Sequence, residues 1–204
     1  RHGPTMEWDI AAGQAVLEAA GGLHAFNGWH KPILTDSGGY QVFSLAANRK
    51  IKEEGVVFQS HIDGSRHLFS PENVMDIQRS IGADIIMAFD DCAPADIEKN
   101  SLKKSVDRTH RWLERCVKVK KRDDQALFPI CQGGVDLTLR EESARFIGQF
   151  DTPGYAIGGV SVGEAKEKIY EVSKFCASIL DEKKPRYLMG IGYPEDIVKI
   201  VRHG

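Results

Sequence analysis

Residues 34–41 of this 204-residue chain are Leu34-Thr35-Asp36-Ser37-Gly38-Gly39-Tyr40-Gln41. An apolar run that begins at Pro32 leads into an acid, two glycines and a tyrosine, which predicts a strand that ends in a tight turn. Glycine lets the backbone approach a ligand closely because it has no Cβ. A carboxylate before such a turn can bind a planar ligand, and the Tyr40 ring can cover its face. The alternative is an Asx turn between a strand and a helix.

The overall composition is that of an ordinary globular protein. The formal net charge is -2 and the isoelectric point is near 6.4, which argues against a general nucleic-acid coat but not against a local RNA contact. No apolar run approaches the roughly 20 residues that span a membrane, and no secretion-signal pattern is found. The four cysteines are widely spaced and form no Cys-x-x-Cys motif, so we predict no metal site in this chain. We therefore expect a cytoplasmic protein without a membrane span.

Short apolar runs alternate with amphipathic segments along most of the chain. Runs at 83–89, 127–131, 155–157 and 187–189 predict strands, and the segments at 71–81, 101–121, 137–149, 165–179 and 194–201 predict helices. Before them, 14–20 predicts a helix and 23–30 a loop. The runs 56–60 and 66–69 flank Asp63-Gly64 and predict a hairpin. Apolar strands alternating with helices are typical of a parallel sheet covered on both faces.

Each predicted parallel strand ends in polar or glycine residues. Asp36, Asp90 and Gln132 follow three of these strands, and glycine pairs follow the others. In a parallel α/β barrel these ends meet at one mouth, where the active site lies. A carboxylate accepts two N–H bonds side by side and an amide both donates and accepts, so the set suits a flat, neutral heterocycle. Neither a dinucleotide-binding glycine motif nor a phosphate-binding loop with its lysine is found.

Five motifs together resemble the tRNA-guanine transglycosylase family. They are Asp36-Ser-Gly-Gly-Tyr-Gln, Ala88-Phe-Asp-Asp-Cys92, Gln132-Gly-Gly, Ala156-Ile-Gly-Gly-Val-Ser-Val-Gly-Glu164 and Arg186-Tyr-Leu-Met-Gly-Ile-Gly192. They occur in family order between about residue 19 and residue 204. The resemblance implies a TIM-type (β/α)8 barrel, incomplete in this chain, with residues 1–204 as one partial barrel domain. It also implies the exchange of guanine at the wobble position of certain tRNAs for a 7-deazaguanine, either preQ1 or queuine.

The resemblance also assigns roles to residues. Asp36 would be the general acid/base, Asp90 would bind the guanine N1–H and amine, and Gln132 with the Gly159 N–H would bind O6. Tyr40 and Met189 would sandwich the ring, and Cys92 would line the pocket. Ser37, Gly38 and Gly39 of the first motif complete the predicted base site. The predicted tRNA contacts are Gly190, Ile191, Gly192, Tyr193, Pro194, Glu195 and Asp196. Cys92 and Val162 resemble the bacterial form, which takes preQ1.

Several of these positions have a structural alternative. Asp36 would then only form a turn, and Gln132 would be a buried, hydrogen-bonded amide. Asp91 would bind the base while Asp90 caps the next segment. Cys92 is expected to act as a small hydrophobic residue, and Gly134 and Gly158 are expected to serve strand–helix packing. At the level of function, the alternatives are a non-catalytic partner subunit of the same family, an inactive fragment and a barrel enzyme acting on sugar phosphates.

Two departures from the family pattern concern the ends of the chain. The family's nucleophilic Asp would fall about five residues beyond Gly204, and its zinc site and last barrel strands are also expected outside this chain. Near the start, Ala11-Ala12-Gly13 stands where the family has Arg-Pro-Gly. We therefore expect the chain to be part of a longer protein that binds zinc, forms a homodimer and acts on the tRNA anticodon loop.

Overall fold

The computed structural model describes residues 21–39, 49–59 and 64–203. In these ranges it is an α/β fold, as the alternating pattern predicts. The strands are β1 (Leu34–Thr35), β2 (Arg49–Ile51), β3 (Val56–Gln59), β4 (Arg66–Phe69), β5 (Ile85–Met87), β6 (Ala126–Phe128), β7 (Ile130–Cys131), β8 (Tyr155–Ile157) and β9 (Arg186–Leu188). The helices are α1 (Leu23–Asn27), α2 (Pro71–Ile81), α3 (Lys99–Val119), α4 (Leu137–Ile147), α5 (Lys166–Ala177) and α6 (Pro194–Val201).

The parallel strands form two groups of three, in the orders β1-β5-β6 and β7-β8-β9. Only Pro129 separates β6 from β7, and proline has no backbone N–H to offer a neighbouring strand. On one side of this break the Ala88 N–H donates to the Phe128 carbonyl at 3.0 Å. On the other side the Ala156 N–H donates to the Pro129 carbonyl at 2.9 Å. The segment therefore pairs with β5 before the proline and with β8 after it.

Parallel strands that are neighbours in space are also consecutive along the chain, each followed or preceded by a helix. This is the arrangement that the pattern of apolar runs predicts. The strands of the described ranges do not close into a barrel, so the structure supports the α/β class and leaves the (β/α)8 barrel a prediction. A separate antiparallel sheet, β2-β3-β4, contains the predicted hairpin of β3 and β4, while β2 was not predicted.

Helix ends follow the expected capping chemistry. Ser70 Oγ accepts the Asn73 N–H at 3.2 Å at the start of α2, and Gly82 ends that helix in the left-handed region at φ 74°. Asp136 Oδ1 accepts the N–H groups of Thr138 and Leu139 at 3.0 and 3.1 Å at the start of α4. These sequence-based helix starts are confirmed.

The prediction of a loop at 23–30 is wrong, because Leu23–Asn27 forms a one-turn helix that ends at Gly28 with φ 64°. A single turn carries too few residues for a 3.6-residue period to stand out in the sequence. The predicted helix at 14–20 and the Asp63 position of the hairpin turn lie outside the described residues, so those predictions stay untested.

The core lies between the parallel strands and helices α2 to α5. Its aromatic centre is Phe89, which stacks on Trp112 of α3 with ring centroids 4.8 Å apart and planes 10° apart. Both side chains are completely buried, which fixes α3 directly behind the end of β5. Among the described helices, none combines the length and the hydrophobicity needed to cross a bilayer.

Candidate active site

One cavity of about 310 Å³ lies at the carboxyl ends of the parallel strands. This volume is at the lower end of the range of about 300–1,000 Å³ that is usual for small-molecule sites. Its lining residues come from the ends of β1, β5, β7, β8 and β9, together with the loop that follows β8. They are Asp36, Asp90, Cys92, Gln132, Gly158, Gly159, Ser161, Val162, Tyr187, Met189 and Gly190. The structure therefore brings the predicted residues from five separate motifs to one cavity.

Asp90 is the most constrained acid in this cavity. It is 6% exposed, and its Oδ2 accepts a hydrogen bond from Gln132 Nε2 at 2.6 Å. The Ser37 hydroxyl donates to its Oδ1 at 3.4 Å. Burial, followed by the nearby Asp36 carboxylate, raises the pKa of Asp90 to about 7, while the bond from Gln132 opposes the rise. The carboxylate is thus poised to change protonation state near neutral pH.

Asp36 faces the same cavity from the end of β1. Its Oδ1 accepts the backbone N–H of the next residue, Ser37, at 2.7 Å, whereas an Asx turn would use the N–H of Gly38, two residues on. Desolvation raises the pKa of Asp36, and the Ser37 N–H partly offsets this effect. The Asp36 side chain therefore lines the cavity while one of its oxygens holds the Ser37 N–H.

The glycine pair after Asp36 allows two strand ends to touch. A Cβ on Gly39 would lie 2.2 Å from Asp90 Oδ1 and 2.9 Å from the Asp90 carbonyl oxygen, so only glycine fits there. The Gly39 N–H donates to the Ser37 hydroxyl at 3.4 Å, and Gly38 adopts φ 84°. Tyr40, predicted to stack on the base, lies outside the described residues.

Gln132 and Gly159 form the opposite wall. Gly159 has φ 59°, and a Cβ there would lie 2.0 Å from Gln132 Oε1, so the amide fits directly against the glycine backbone. The Gln132 side chain is 3% exposed and its only hydrogen-bond partner among the described residues is Asp90. Gln132 is therefore a buried, hydrogen-bonded amide and also a wall of the cavity, which joins the two interpretations of this residue.

Arg140 of α4 supports this wall and was not predicted. It is completely buried, and it donates from Nε to the Gly134 carbonyl at 2.8 Å, from Nη1 to that of Cys131 at 2.7 Å and from Nη2 to that of Gly159 at 3.0 Å. The sequence does contain a signal for this role. Arg140 precedes Ala144 by four residues and Ile147 by seven, which places it on the buried face of α4.

Cys92 and Met189 also line the cavity. Burial, followed by the nearby carboxylates of Asp90 and Asp91, raises the pKa of the Cys92 thiol far above its usual range. The thiol is thus neutral, which favours packing over nucleophilic chemistry, as expected from the sequence. A Cβ on Gly158 would lie 2.8 Å from Ile130 Cγ2, so this glycine allows close packing against strand β7, while the strand–helix packing expected for it stays a prediction.

The predicted RNA-contact segment runs from the cavity rim into α6. Gly190 lines the cavity, and its carbonyl accepts the Ser161 hydroxyl at 3.1 Å. Tyr193 is 66% exposed, with Lys166 Nζ 5.1 Å from its ring centroid. Asp196 differs from the rest, because it is 3% exposed and accepts hydrogen bonds from the Tyr170 hydroxyl and from Lys166. The Asp196 carboxylate therefore already joins α6 to α5.

A metal site was not predicted, and one cluster in the described ranges has ligand-like spacing. Asp107, His110 and Glu142 bring potential ligand atoms within 4.8 Å of one another. However, Lys103 Nζ already contacts both carboxylates, at 2.8 Å from Glu142 Oε1 and in a short hydrogen bond with Asp107. An ammonium group thus takes the place that a cation would occupy.

The cysteines do not fit a zinc site either. All four are buried, and Cys131 and Cys176 are the two that make a mutual contact, with 3.9 Å between their sulfurs. Zinc sites that use thiolates need further ligands around the same point. The described residues supply none at this pair, so they do not form the zinc site that the resemblance implies.

Comparison with known proteins agrees with this geometry. The family model for queuine tRNA-ribosyltransferase matches residues 3–204. A curated relative of that name from Halothermothrix orenii is 56% identical over 96% of this chain and 52% of its own length. Another from Herpetosiphon aurantiacus is 58% identical over 93% of this chain and 48% of its own length.

A third relative with the same name, from Caldanaerobacter subterraneus, is 51% identical over 99% of this chain and 54% of its own length. The chain thus spans about half the length of the curated relatives it matches. The family match covers every described residue of the cavity, from Asp36 to Gly190. On this evidence, the chain belongs to the queuine tRNA-ribosyltransferase family.

Proposed function

We propose that this chain forms the base-recognition part of a tRNA-guanine transglycosylase. Such a pentosyltransferase exchanges guanine at the wobble position of target tRNAs for a 7-deazaguanine, preQ1 or queuine. The observation that carries the proposal is the placement of Asp90, which is held between Ser37 and Gln132 on the wall of a cavity that also contains Asp36. Cys92 and Val162 line the same cavity, which supports the bacterial type that takes preQ1.

Asp90 supplies selectivity for guanine. As a carboxylate it accepts hydrogen bonds from the guanine N1–H and exocyclic amine at once. Adenine presents an unprotonated N1 at the same position, which would face the carboxylate lone pairs and leave a buried charge unpaired. A site built for hydrogen bonding rejects such a base strongly. Gln132 and the Gly159 N–H bind O6 from the opposite wall, and Met189 with Tyr40 covers the ring faces.

Asp36 handles the proton of the exchange. The bond between ribose C1′ and guanine N9 breaks while C1′ bonds to the carboxylate nucleophile, for which we propose an Asp outside this chain. Asp36 in its protonated form gives a proton to N9 of the departing guanine. As a carboxylate it then takes the N9 proton of the incoming base, whose nitrogen attacks C1′ and releases the nucleophile. The pKa of Asp36 is raised by desolvation, which makes it a stronger base than an exposed aspartate.

The anticodon loop is the proposed tRNA element, because proteins recognise unpaired bases by splaying them out and stacking on them. The segment from Gly190, which lines the cavity, to Glu195, with Tyr193 exposed, suits this contact. We omit the Asp196 side chain, since it is engaged with Tyr170 and Lys166.

Further proposals concern the larger assembly. Parallel strands in chain order support a partial (β/α)8 barrel over residues 1–204. We propose that zinc and a homodimer interface belong to the full-length family member, which acts in the cytoplasm on tRNA. We propose that the zinc ligands of that protein lie outside this chain.

The direct test is equilibrium binding of guanine and adenine to the full chain by calorimetry. We expect guanine to bind at least about 100-fold more tightly than adenine. Asp90→Asn should remove this preference, whereas Asp124→Asn, an exposed acid paired with Arg122, should leave it unchanged. Equal affinities of the unaltered chain for the two bases would contradict the proposal. A guanine-exchange assay on tRNA then tests the covalent chemistry.

A further inference from the structure

Asp91 directly follows Asp90, yet it faces the other way. Its N–H donates to Thr109 Oγ1 at 3.0 Å, and its carbonyl accepts the Ser105 hydroxyl at 2.7 Å. Its carboxylate makes a short ion pair with Arg108. The three partners lie at i, i+3 and i+4 on α3 and therefore share one face of that helix. Asp91 is thus fully engaged by α3, while the adjacent Asp90 side chain remains in the cavity.

This contact matters because two carboxylates act on Asp90. Asp36 faces it across the cavity, and Asp91 adjoins it in sequence, and each favours the protonated form of Asp90. The other groups close to Asp90 are the uncharged Ser37 hydroxyl and Gln132 amide. Beside them, Cys92 is a neutral thiol that feels both Glu164 and Arg140. Arg108 is the cation in direct contact with one of the two interfering carboxylates.

We propose that Arg108 is a positioning residue for base recognition, which holds and neutralises Asp91 so that Asp90 binds the base as a carboxylate. This inference rests on the proposed function, in which an ionised Asp90 accepts the guanine N–H groups. Arg108 does not line the cavity, so it acts on Asp90 only through its surroundings and not by contact with the base. Its side chain is 23% exposed and that of Asp91 is 7% exposed, so the pair is only weakly screened by solvent.

The test is an NMR titration that does not depend on ligand binding. The full chain is labelled with carboxyl-¹³C aspartate, and the Asp90 signal is assigned by its loss in Asp90→Asn. In Arg108→Gln we expect Asp90 to titrate about one pH unit higher than in the unaltered chain, because Asp91 is then uncompensated. In the double variant Asp91→Asn/Arg108→Gln the added charge is gone, so the midpoint should return to the original value or below it.

Arg111→Gln is the matched control. Arg111 lies on the same helix and pairs with Glu53 through two hydrogen bonds, at 2.6 and 2.7 Å, without contacting Asp91. The Arg111→Gln variant should leave the titration midpoint of Asp90 unchanged.

Removing one partner of a buried ion pair destabilises the fold, so Arg108→Gln is the variant at risk of not folding. The comparison of Asp91→Asn with the double variant then measures the same effect, with the higher Asp90 midpoint expected in the double variant.

Two results would overturn the inference. One is an Asp90 titration midpoint that does not change on Arg108→Gln, whether residue 91 is Asp or Asn. The other is a midpoint shift in Arg111→Gln as large as that in Arg108→Gln. Guanine binding by the unaltered chain is a separate measurement. If guanine does not bind while the Asp90 midpoint follows Arg108 as expected, the proposed function fails and the electrostatic relationship stands. If guanine binds and the midpoint ignores Arg108, only the present inference fails.

Discussion

Gly39 and Asp90 are in direct contact across the ends of two parallel strands. The Cα of Gly39 lies so close that a methyl group added there would be 2.2 Å from Asp90 Oδ1. The first motif of the chain therefore supplies more than a turn, because its second glycine forms the surface on which the Asp90 carboxylate rests. This contact makes the position of Asp90 sensitive to a single methyl group three residues beyond Asp36.

Gly39→Ala is expected to displace the Asp90 carboxylate and weaken guanine binding by at least tenfold. The backbone atoms on both sides leave little room for relaxation, since the Asp90 carbonyl oxygen would also lie 2.9 Å from the new Cβ. The measurement is the dissociation constant for guanine, with circular dichroism as a check on folding. Gly148→Ala is the control, because Gly148 has helical φ -65° and is remote from the cavity. Unaltered affinity in Gly39→Ala would contradict the expected clash.

The affinity for guanine should depend on pH with a midpoint near 7. In the proposed binding mode Asp90 accepts the two guanine donors as a carboxylate, and its pKa is about 7 in the free protein. Below this pH a proton must be removed before the base binds, so affinity should fall about tenfold per pH unit as pH decreases from 7 to 5. Calorimetry at several pH values measures the slope. A flat profile between pH 5 and 8 would show that binding does not require ionised Asp90.

Asp90→Asn should stabilise the fold at alkaline pH although it removes base recognition. The folded-state pKa of Asp90, about 7, lies above its ordinary value of 3.8. Between these two pH values the native state therefore holds a proton that the unfolded state has lost. The free energy of unfolding therefore decreases as pH rises from 4 to 7, and this loss is complete above 7. Denaturant titrations should show Asp90→Asn to be more stable at pH 8, by about 2 kcal/mol or more.

The same comparison at pH 4 should show a much smaller difference, because Asp90 is then protonated in the folded state and close to half protonated in the unfolded state. Asp124→Asn provides the reference for a surface aspartate, whose pKa is lowered by Arg122. Equal effects of Asp90→Asn at pH 4 and pH 8 would contradict the assignment of a raised pKa to this residue.

Arg140→Met should destabilise the protein strongly without altering any cavity side chain. Three backbone carbonyls, those of Cys131, Gly134 and Gly159, would lose their hydrogen-bond donors in a buried environment. We expect a loss on the order of 3 kcal/mol in the free energy of unfolding. Arg145→Met on the same helix removes only an exposed pair with Glu141 and should change stability by about 0.5 kcal/mol or less. Thermal unfolding of both variants makes the comparison.

The sequence predicted the cavity better than the supports behind it. Asp36, Asp90, Gln132 and Gly159 were identified because they follow apolar runs, and the ends of parallel strands converge wherever the pattern holds. Arg140 was missed because an arginine in a helix is usually solvated, and only its spacing from apolar neighbours indicates burial. Asp90 was assigned to the base by resemblance, with Asp91 as the alternative because the two residues are adjacent and identical. The structure shows α3 holding Asp91.

The segment after β9 shows a second limit of prediction from the sequence. Residues 190 to 196 were grouped as one RNA contact because the family resemblance implies it, yet Asp196 is buried. Its partners, Tyr170 and Lys166, lie on another helix more than 25 residues earlier, and a pairing of that kind leaves no periodic trace in the sequence. The one-turn helix α1 was not predicted for a related reason, since a single turn contains no periodic repeat to detect.

Pro129 has a mechanical consequence for the cavity. Asp36 and Asp90 follow strands of the first parallel group, while Gln132, Gly159 and Met189 follow strands of the second. The cavity therefore lies at the boundary, or seam, between the two strand groups. At this boundary the chain passes from β6 to β7 through Pro129, which has no amide hydrogen. The hydrogen bond from Gln132 to Asp90 crosses this seam. In the proposed binding mode a base contacts both side chains in place of their direct bond, and would so become a structural link between the two halves of the sheet.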